Sequence, residues 1–508
     1  MICVTIACGS HTRMISEHQH LAEDGIKLAE LRLDFLRRTP ELHRLIPERP
    51  TATLVTVRRK QDGGLWLDTE EKRQMLLRSA IAAEPEFVDL EVDIADKIPP
   101  FGKTHRIISY HNTEAMPENL NALHREMSEK SPFFIKIAAS PKNIEEMLRL
   151  LNFVKAKNNE AKAKGKDGVR VIGICMGELG KVSRILAKKF AMPYTYATFS
   201  SERIIAPGIL EYRELRDLYR YEQINAETDV FGVIGNPLGH TLSPLIHNRS
   251  FISNNINAVY VPFQLTGIDV PFLINYAETF ALKGLSVTIP HKLTVMHSLT
   301  RAEAAVEKIG ACNTVVFHNG ERLGYNTDYT AAVSVIEKTL GGNYSDETSV
   351  LKHKEALVLG CGGVGKALSY GLKQRGANVN VTDRKPEKAE ALAKQLGCGF
   401  INWNERNSFK TDILVNGTSV GMFPHIDEMP LEKTALQPET LVFDAVYNPE
   451  NTLLIKSARA RGCKTVTGTE MFVVQACLQF KLFTGQKASP SLMRDIIKEA
   501  VGHAASGG

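Results

Sequence analysis

The chain has 508 residues, 43% of them hydrophobic and 23% charged, with a net charge of +5. That length calls for two to four domains with full cores, and that composition excludes a disordered or fibrous chain. The mild positive balance suits anionic small molecules, carboxylates or phosphates, and argues against a nucleic-acid partner, which needs a stronger basic concentration.

In the first part of the chain, eight β-rich runs alternate with amphipathic helical stretches. They are Ile2 to Ala7, Leu28 to Phe35, Thr51 to Arg58, Phe87 to Asp93, Arg106 to His111, Phe133 to Ala138, Arg170 to Met176 and Tyr194 to Phe199. Eight parallel strands in such a series predict a closed (β/α)8 barrel. A charged helical segment, Glu211 to Asn225, and a linker, Ala226 to Asp229, come next. A second βα series opens at Val230 to Gly235 and continues through Val259 to Phe263, Leu285 to Ile289 and Asn313 to Phe317. The polar stretch Gly341 to Lys354 precedes a new strand, Glu355 to Gly360, a glycine-rich turn and a helix over Lys366 to Arg375. The whole chain therefore reads as α/β.

The eight cysteines are scattered, with no CxxC pair and no zinc-finger spacing, so they read as reduced thiols of a cytoplasmic protein without a metal site. No apolar stretch is long enough to span a bilayer, and the N-terminus has no basic region before its apolar run, so neither a membrane partner nor a signal peptide is expected.

Barrel active sites form where the strands end, and these ends are rich in ionisable groups. Glu30, Arg32 and Asp34 lie on the second run, Arg58 ends the third, Asp89 and Glu91 belong to the fourth, His111 ends the fifth, Lys136 sits in the sixth and Arg184 follows the seventh. Alternation in Phe134-Ile-Lys-Ile137 turns Lys136 away from its two isoleucine neighbours, and into the barrel if those face the helices. Two readings stay open at this point. Lys136 is either a structural lysine paired with a carboxylate, or a desolvated amine that attacks a carbonyl with His111 as acid and base.

Together the segments Glu30-Leu-Arg-Leu-Asp34, Ser109-Tyr-His111, Phe134-Ile-Lys136, Met176-Gly177 with Ser183-Arg184, and Ala206-Pro-Gly208 resemble a type I 3-dehydroquinate dehydratase over residues 1 to 222. The resemblance implies a Schiff base between Lys136 and a ketone, with His111 removing the neighbouring proton. Glu30, Arg32, Arg58 and Arg184 would bind substrate hydroxyls and carboxylate. Three positions depart from the family pattern: Asp62 stands where Glu is usual before Gly63-Gly64, and Ile205 and Ile209 replace a hydroxyl residue and a Gln.

In the second half, Gly360-Cys-Gly-Gly-Val-Gly365 follows an apolar strand and opens a helix, the pattern of a dinucleotide turn. The next strand, Asn378 to Thr382, ends in Asp383-Arg-Lys385, where an adenosine ribose is read. Asp383 favours a bare ribose, whereas Arg384, Lys385 and Lys388 favour a 2′-phosphate; charge count and resemblance favour NADP over NAD. Lys292 and Asp328 read equally as a structural ion pair or as an acid/base pair.

The ordered motifs Gly235-Asn-Pro-Leu-Gly-His-Thr-Leu-Ser-Pro244, Ser286-Val-Thr-Ile-Pro-His-Lys292, Gly310-Ala-Cys-Asn-Thr314, Asn326-Thr-Asp328, Asn416-Gly-Thr-Ser419, Val446-Tyr-Asn-Pro449 and Gly468-Thr-Glu-Met471 with Gln475 resemble shikimate dehydrogenase over residues 229 to 500. By that resemblance Thr241 and Ser243 bind the substrate carboxylate, and Ser286, Thr288, Asn313, Asp328 and Gln475 bind its hydroxyls. Lys292 and Asp328 become the acid/base pair. Gly360, Gly362, Gly363, Gly365, Thr418, Gly468 and Met471 face the cofactor, and Tyr447 lies where nicotinamide meets substrate.

The resulting expectation is an N-terminal (β/α)8 barrel followed by a two-domain α/β dehydrogenase with a Rossmann-type nucleotide-binding domain. Its divisions are a barrel at 1–222, a substrate domain at 229–330 completed by 475–500, and a nucleotide domain at 331–474. The implied function is dehydration of 3-dehydroquinate and NADPH-dependent reduction of 3-dehydroshikimate to shikimate. The alternatives are a quinate/shikimate dehydrogenase with an inactive barrel, or a metabolite-sensing regulator.

Overall fold

The computed structural model describes residues 1–203, 205–239 and 241–506, with side chains described to residue 500. The chain divides into two compact units, one of Met1–Val230, Asn257–Leu265 and Glu278–Ala281, the other of Phe231–Ile256, Thr266–Ala277 and Leu282–Gly508.

The first unit holds β1 (Ile2–Ile6), β2 (Leu28–Arg32), β3 (Ala52–Thr56), β4 (Phe87–Glu91), β5 (His105–Asn112), β6 (Phe134–Ala139), β7 (Arg170–Cys175) and β8 (Thr195–Thr198). They form one parallel near-barrel in the order β7-β6-β5-β4-β3-β2-β1-β8, as the eight runs predict. Helices between strands start where the sequence caps them. The side chains of Ser10, Thr69, Asn119 and Asn143 accept the backbone N–H of Arg13, Lys72, Ala122 and Glu146, three residues on. Each such cap satisfies a donor that the first helical turn leaves unpaired.

Inside the near-barrel the strands alternate between faces. Cys3, Leu28, Leu54, Ile107, Phe134, Ala138, Ile172, Ile174, Tyr194 and Tyr196 pack into one apolar cluster. In neighbouring strands Glu91, Ser109 and Lys136 are paired in register, so a polar level adjoins that cluster. The segment after β8 differs from its predicted long helix. It makes only a π-helical turn, Glu214–Leu218, and a 3-10 turn, Tyr221–Gln223. Between them Arg220 has φ 48°, a left-handed backbone that ends any helix, while Leu215, Tyr219 and Tyr221 are buried as anchors.

Next in the chain are β9 (Asp229–Gly235), β10 (Ala258–Gln264), β11 (Leu282–Val287), β12 (Arg301–Ala302), β13 (Thr314–His318) and β14 (Glu321–Tyr325). In the second unit β9, β11, β13, β14 and β12 follow one another in sheet order. The expected run of βα units is interrupted here, because β13 is antiparallel to both β11 and β14. The tight turn Asn319-Gly320, with φ 49° and 77°, folds β13 directly back onto β14.

A third sheet is wholly parallel: β15 (Glu355–Leu359), β16 (Asn378–Thr382), β17 (Gly399–Phe400), β18 (Ile413–Asn416), β19 (Leu441–Asp444) and β20 (Lys464–Val466), in the order β17-β16-β15-β18-β19-β20. The order reverses between β16-β15 and β18, the switch point beside which doubly wound sheets bind nucleotides. The helix after the glycine-rich turn runs Gly363–Gln374, starting earlier than its apolar pattern suggests because Gly362 serves as its N-cap. Among the described residues, no helix is long and apolar enough to cross a membrane.

Candidate active sites

Lys136 on β6 is 5% exposed and reaches two groups. Its Nζ donates to Asp89 Oδ2 at 3.0 Å and lies over the ring of Tyr196, 4.4 Å from the centroid. Asp89 also meets Arg58 at 2.8 Å and accepts Ser109 Oγ at 2.5 Å. Arg58 in turn donates to Glu91 Oε1 at 2.6 Å, and the fully buried Arg73 donates to Glu91 Oε2 at 2.8 Å. Cations and anions thus alternate inward from the helix Glu70–Ala82 to Lys136. Burial alone would raise the Asp89 carboxyl, but Arg58, Lys136 and His111 outweigh it and hold the group well below the usual carboxylate range. His111 is held neutral, chiefly by burial and then by Arg58 and Lys136, and its Nδ1 is buried without a hydrogen bond. An unprotonated imidazole has a free lone pair with which to accept a proton.

The other predicted barrel residues are placed as follows. Glu30 accepts Thr5 Oγ1 and Thr56 Oγ1, each at 2.7 Å. Arg32 forks onto Asp34 at 2.9 and 2.7 Å and covers the Phe35 ring, so its charge is already answered within its own turn. Arg184 is buried on the helix Gly180–Ile185 and donates to the carbonyls of Cys175 at 2.7 Å and Gly180 at 3.1 Å. No carboxylate among the described residues pairs with it, its Nε makes no hydrogen bond, and burial pulls its pKa down to about 10. A buried cation answered only by carbonyl dipoles favours an anionic occupant. Asp62 turns to Arg59, which donates to it at 2.6 Å and also pairs with Asp93. In the loop of Ile205 and Ile209, Gly208 at φ 75° fits against Gly177, whose N–H donates to Pro207 O at 3.1 Å.

In the second unit Lys292 Nζ donates to Asp328 Oδ2 at 2.5 Å, and both side chains are buried. Asn313 Nδ2 donates to Asp328 Oδ1 at 2.8 Å and to Thr327 Oγ1 at 2.9 Å. Asp328 stands in the first turn of the helix Thr327–Thr339, where the dipole and the Asn326 cap favour a carboxylate. The three polar clusters at Lys292, Asn313 and Asp328 are thus one connected group. Ser286 joins it through Gln479, whose role the motif pattern did not indicate. Ser286 Oγ donates to Gln479 Oε1 at 2.8 Å, and Gln479 Nε2 donates to Thr314 Oγ1 at 2.9 Å and Asn313 O at 3.1 Å. The signal available was spacing: Gln479 lies four residues after Gln475, on the same face of the helix Gly468–Thr484. Gln475 itself is buried and donates to Phe472 O at 3.2 Å. Thr288 follows β11, and Thr241 lies just before the helix Ser243–Ser253, where its Oγ1 accepts the N–H of Ser243 at 3.4 Å. Tyr447 stacks on Phe472 at 4.8 Å between ring centroids.

The glycine-rich turn meets each demand of a dinucleotide site. Gly360 has φ 91°, and a methyl group added at Gly365 would come within 1.8 Å of Gly360 O, so the helix packs tightly on the strand. A methyl at Gly362 would meet nothing within 4 Å, leaving the helix N-terminus open to an anionic group, and one at Gly363 would lie 3.2 Å from Lys292 Cδ. An open helix N-terminus of this kind fits a pyrophosphate. Asp383 pins the turn, its two oxygens accepting Cys361 N–H at 2.8 Å and Lys385 N–H at 2.9 Å, while Arg384, Lys385 and Lys388 are exposed. Thr418 donates to Asn416 Oδ1 at 2.6 Å, and Asn416 donates to Asp444 Oδ1 at 2.9 Å. Gly468 starts its helix against Val446 O, whereas the Met471 side chain is buried in the core cluster of the third sheet. Among the described residues no group of three or more His, Cys, Asp or Glu is placed to hold a metal.

Four family models match in chain order: Type I 3-dehydroquinase over residues 2–226, Shikimate dehydrogenase substrate binding domain over 233–315, NADP oxidoreductase coenzyme F420-dependent over 356–444, and Shikimate 5'-dehydrogenase C-terminal domain over 468–498. The shikimate dehydrogenase (NADP(+)) of Caldanaerobacter subterraneus is 37% identical, covering 52% of this chain and 94% of its own. A solved shikimate dehydrogenase in complex with NADP+ is 33% identical with a TM-score of 0.51, over 55% of this chain and 97% of that one. The chloroplastic bifunctional 3-dehydroquinate dehydratase/shikimate dehydrogenase of Arabidopsis thaliana is 35% identical over 98% of this chain and 84% of its own length. With a buried lysine in the near-barrel, a lysine–aspartate pair beside a dinucleotide turn, and a match that runs through both, the chain belongs to the bifunctional 3-dehydroquinate dehydratase/shikimate dehydrogenase family.

Proposed function

We propose that this protein carries out two consecutive reactions on one chain: dehydration of 3-dehydroquinate to 3-dehydroshikimate, then reduction of that ketone to shikimate with NADPH. The observation that carries the reading is the buried Lys136, held between Asp89 and Tyr196 with a neutral His111 in the same site. In the first reaction the Lys136 amine condenses with the ketone, and the resulting iminium draws electrons from the adjacent C–H bond. His111 takes that proton and returns it to the departing hydroxyl, which leaves as water. Arg184 is the anchor for the substrate carboxylate, and Arg58 and Glu30 orient hydroxyls.

In the second reaction NADPH, when bound, supplies the reducing equivalent. Lys292 gives a proton to the substrate oxygen as negative charge develops on it, and Asp328 keeps the ammonium aimed at that oxygen. Thr241 and Ser243 at a helix start hold the carboxylate, and Ser286, Thr288, Asn313, Gln475 and Tyr447 frame the ring hydroxyls. Gly360, Gly362, Gly363 and Gly365 hold the pyrophosphate, Thr418 and Gly468 shape the nicotinamide end while Met471 backs it only from the core, and Arg384, Lys385 and Lys388 answer the 2′-phosphate against the charge of Asp383. We place the barrel at 1–222, the substrate domain at 229–330 with 475–500, and the nucleotide domain at 331–474. The eight free cysteines suit a cytoplasmic setting.

One spectrophotometric assay tests the whole reading. Supplied with 3-dehydroquinate and NADPH, the protein should consume NADPH at a rate that requires both halves, and borohydride should fix the substrate to Lys136. No adduct and no NADPH loss would sink it. Asp62, drawn to Arg59 at 2.6 Å, favours a second reading in which the barrel is inactive. In that case 3-dehydroshikimate would be reduced while 3-dehydroquinate would not be consumed.

A further inference from the structure

We propose that the ring face of Tyr196 is a catalytic group of the dehydratase site, stabilising the positive charge that Lys136 Nζ carries in the iminium. The inference rests on the reading of Lys136 as the Schiff-base lysine. Tyr196 on β8 and Tyr194 share the inward-facing cluster with Phe134 and Ala138, the residues two before and two after Lys136 on β6. By strand alternation the lysine must emerge on that same face. There its Nζ is 4.4 Å from the Tyr196 ring centroid, inside the range in which a ring quadrupole attracts a cation. The ring is 4% exposed, and its hydroxyl is 3.3 Å from that of Tyr194, which fixes its far end.

Asp89 is the other group on Nζ, but its charge is divided. One oxygen serves Arg58 at 2.8 Å and Ser109 at 2.5 Å, and the other meets Lys136 at 3.0 Å. A site that must hold a cation at Nζ twice per turnover gains from a second, uncharged partner, because a further carboxylate would oppose return to the free amine.

The charge bookkeeping shows when the ring acts. Nζ adds its lone pair to the ketone carbon, and with one proton from solution the carbonyl oxygen leaves as water, giving a protonated imine. The charge disappears when His111 takes the α-proton and the C–H electrons form the enamine. It returns when the β-hydroxyl leaves with its bonding pair and the proton from His111, again as water. Hydrolysis then consumes one water and restores ketone, amine and a proton. Each cationic species places its nitrogen over Tyr196, whereas the neutral enamine gains nothing from the ring.

The test uses the full chain with Tyr196→Phe, followed by phenylalanine analogues at position 196 bearing one, two and three ring fluorines. These keep the shape and weaken the negative ring face stepwise. Measured against Tyr196→Phe as the reference, the expected result is a stepwise fall in kcat to about tenfold with three fluorines, with KM and melting temperature little changed across the series. The fraction trapped on Lys136 by borohydride should fall in the same order. A flat series, with wild-type trapping intact, overturns the role of Tyr196 while leaving the Schiff-base reading standing. A wild-type protein that yields no adduct on Lys136 overturns both.

Discussion

Ser286 Oγ donates to Gln479 Oε1 at 2.8 Å, joining a strand end to a helix nearly two hundred positions later. Because Gln479 also donates to Thr314 and to Asn313 O, its amide cannot flip without losing three bonds at once. Gln479→Leu should therefore raise KM for 3-dehydroshikimate about tenfold while KM for NADPH stays constant, since it leaves several buried polar groups unpaired on the substrate side alone. Steady-state kinetics with each substrate varied in turn decides this; equal shifts in both constants would mean general loosening.

Lys292→Ala should lower reduction by at least about a thousandfold, through loss of the proton donor, and leave dehydration unchanged. Lys136→Ala should do the reverse. Two separate assays on each variant suffice, and loss of both activities from either change would contradict independent sites.

In the proposed NADPH site Asp383 puts a carboxylate beside the adenosine 2′ position, and two backbone N–H donors prevent it from swinging aside. Asp383→Asn keeps an oxygen for the turn and removes the charge that repels a phosphate. The ratio of kcat/KM for NADPH to that for NADH should rise about fivefold. An unchanged ratio would leave Asp383 only the task of holding the turn.

Burial raises the Asp444 carboxyl to about 6, against hydrogen bonds from Thr452, Val446 N–H and Asn416. Between its ordinary value of 3.8 and about 6, the folded protein binds a proton there that the unfolded chain releases. Stability from this group therefore falls as pH rises through that window. Asp444→Asn should flatten the corresponding part of the melting-temperature profile between about pH 4 and about pH 7. A slope identical to that of the unaltered protein would refute the assignment.

Strands were legible where burial on both faces writes short uninterrupted apolar or β-branched runs, as in Thr53 to Thr56 or Ala356 to Leu359. Asn319-Gly320 carries a hairpin signal of its own, and it overrides the βα rhythm of the strands around it. Lys136 and Lys292 stood out by type, since a lysine amid apolar neighbours has to be explained. Tyr196 and Gln479 did not, because nothing in a tyrosine or glutamine names a partner sixty or more positions away, and Asp444 did not, because its burial against Asn416 and Thr452 is set by the sheet. Nor did sequence foretell that Arg32 would spend its fork on Asp34, or that Asp62 would turn to Arg59, since both outcomes depend on turn geometry.

Arg184 carries one more consequence. A guanidinium sunk among carbonyl oxygens is a cost to the folded barrel; with Arg184 as the proposed carboxylate anchor, a bound substrate offsets that cost, and ligand occupancy and unfolding become thermodynamically linked. Substrates bearing the carboxylate should delay thermal unfolding of the barrel where their esters do not. Supply of the metabolite would then set how long the protein survives, as well as how fast it works.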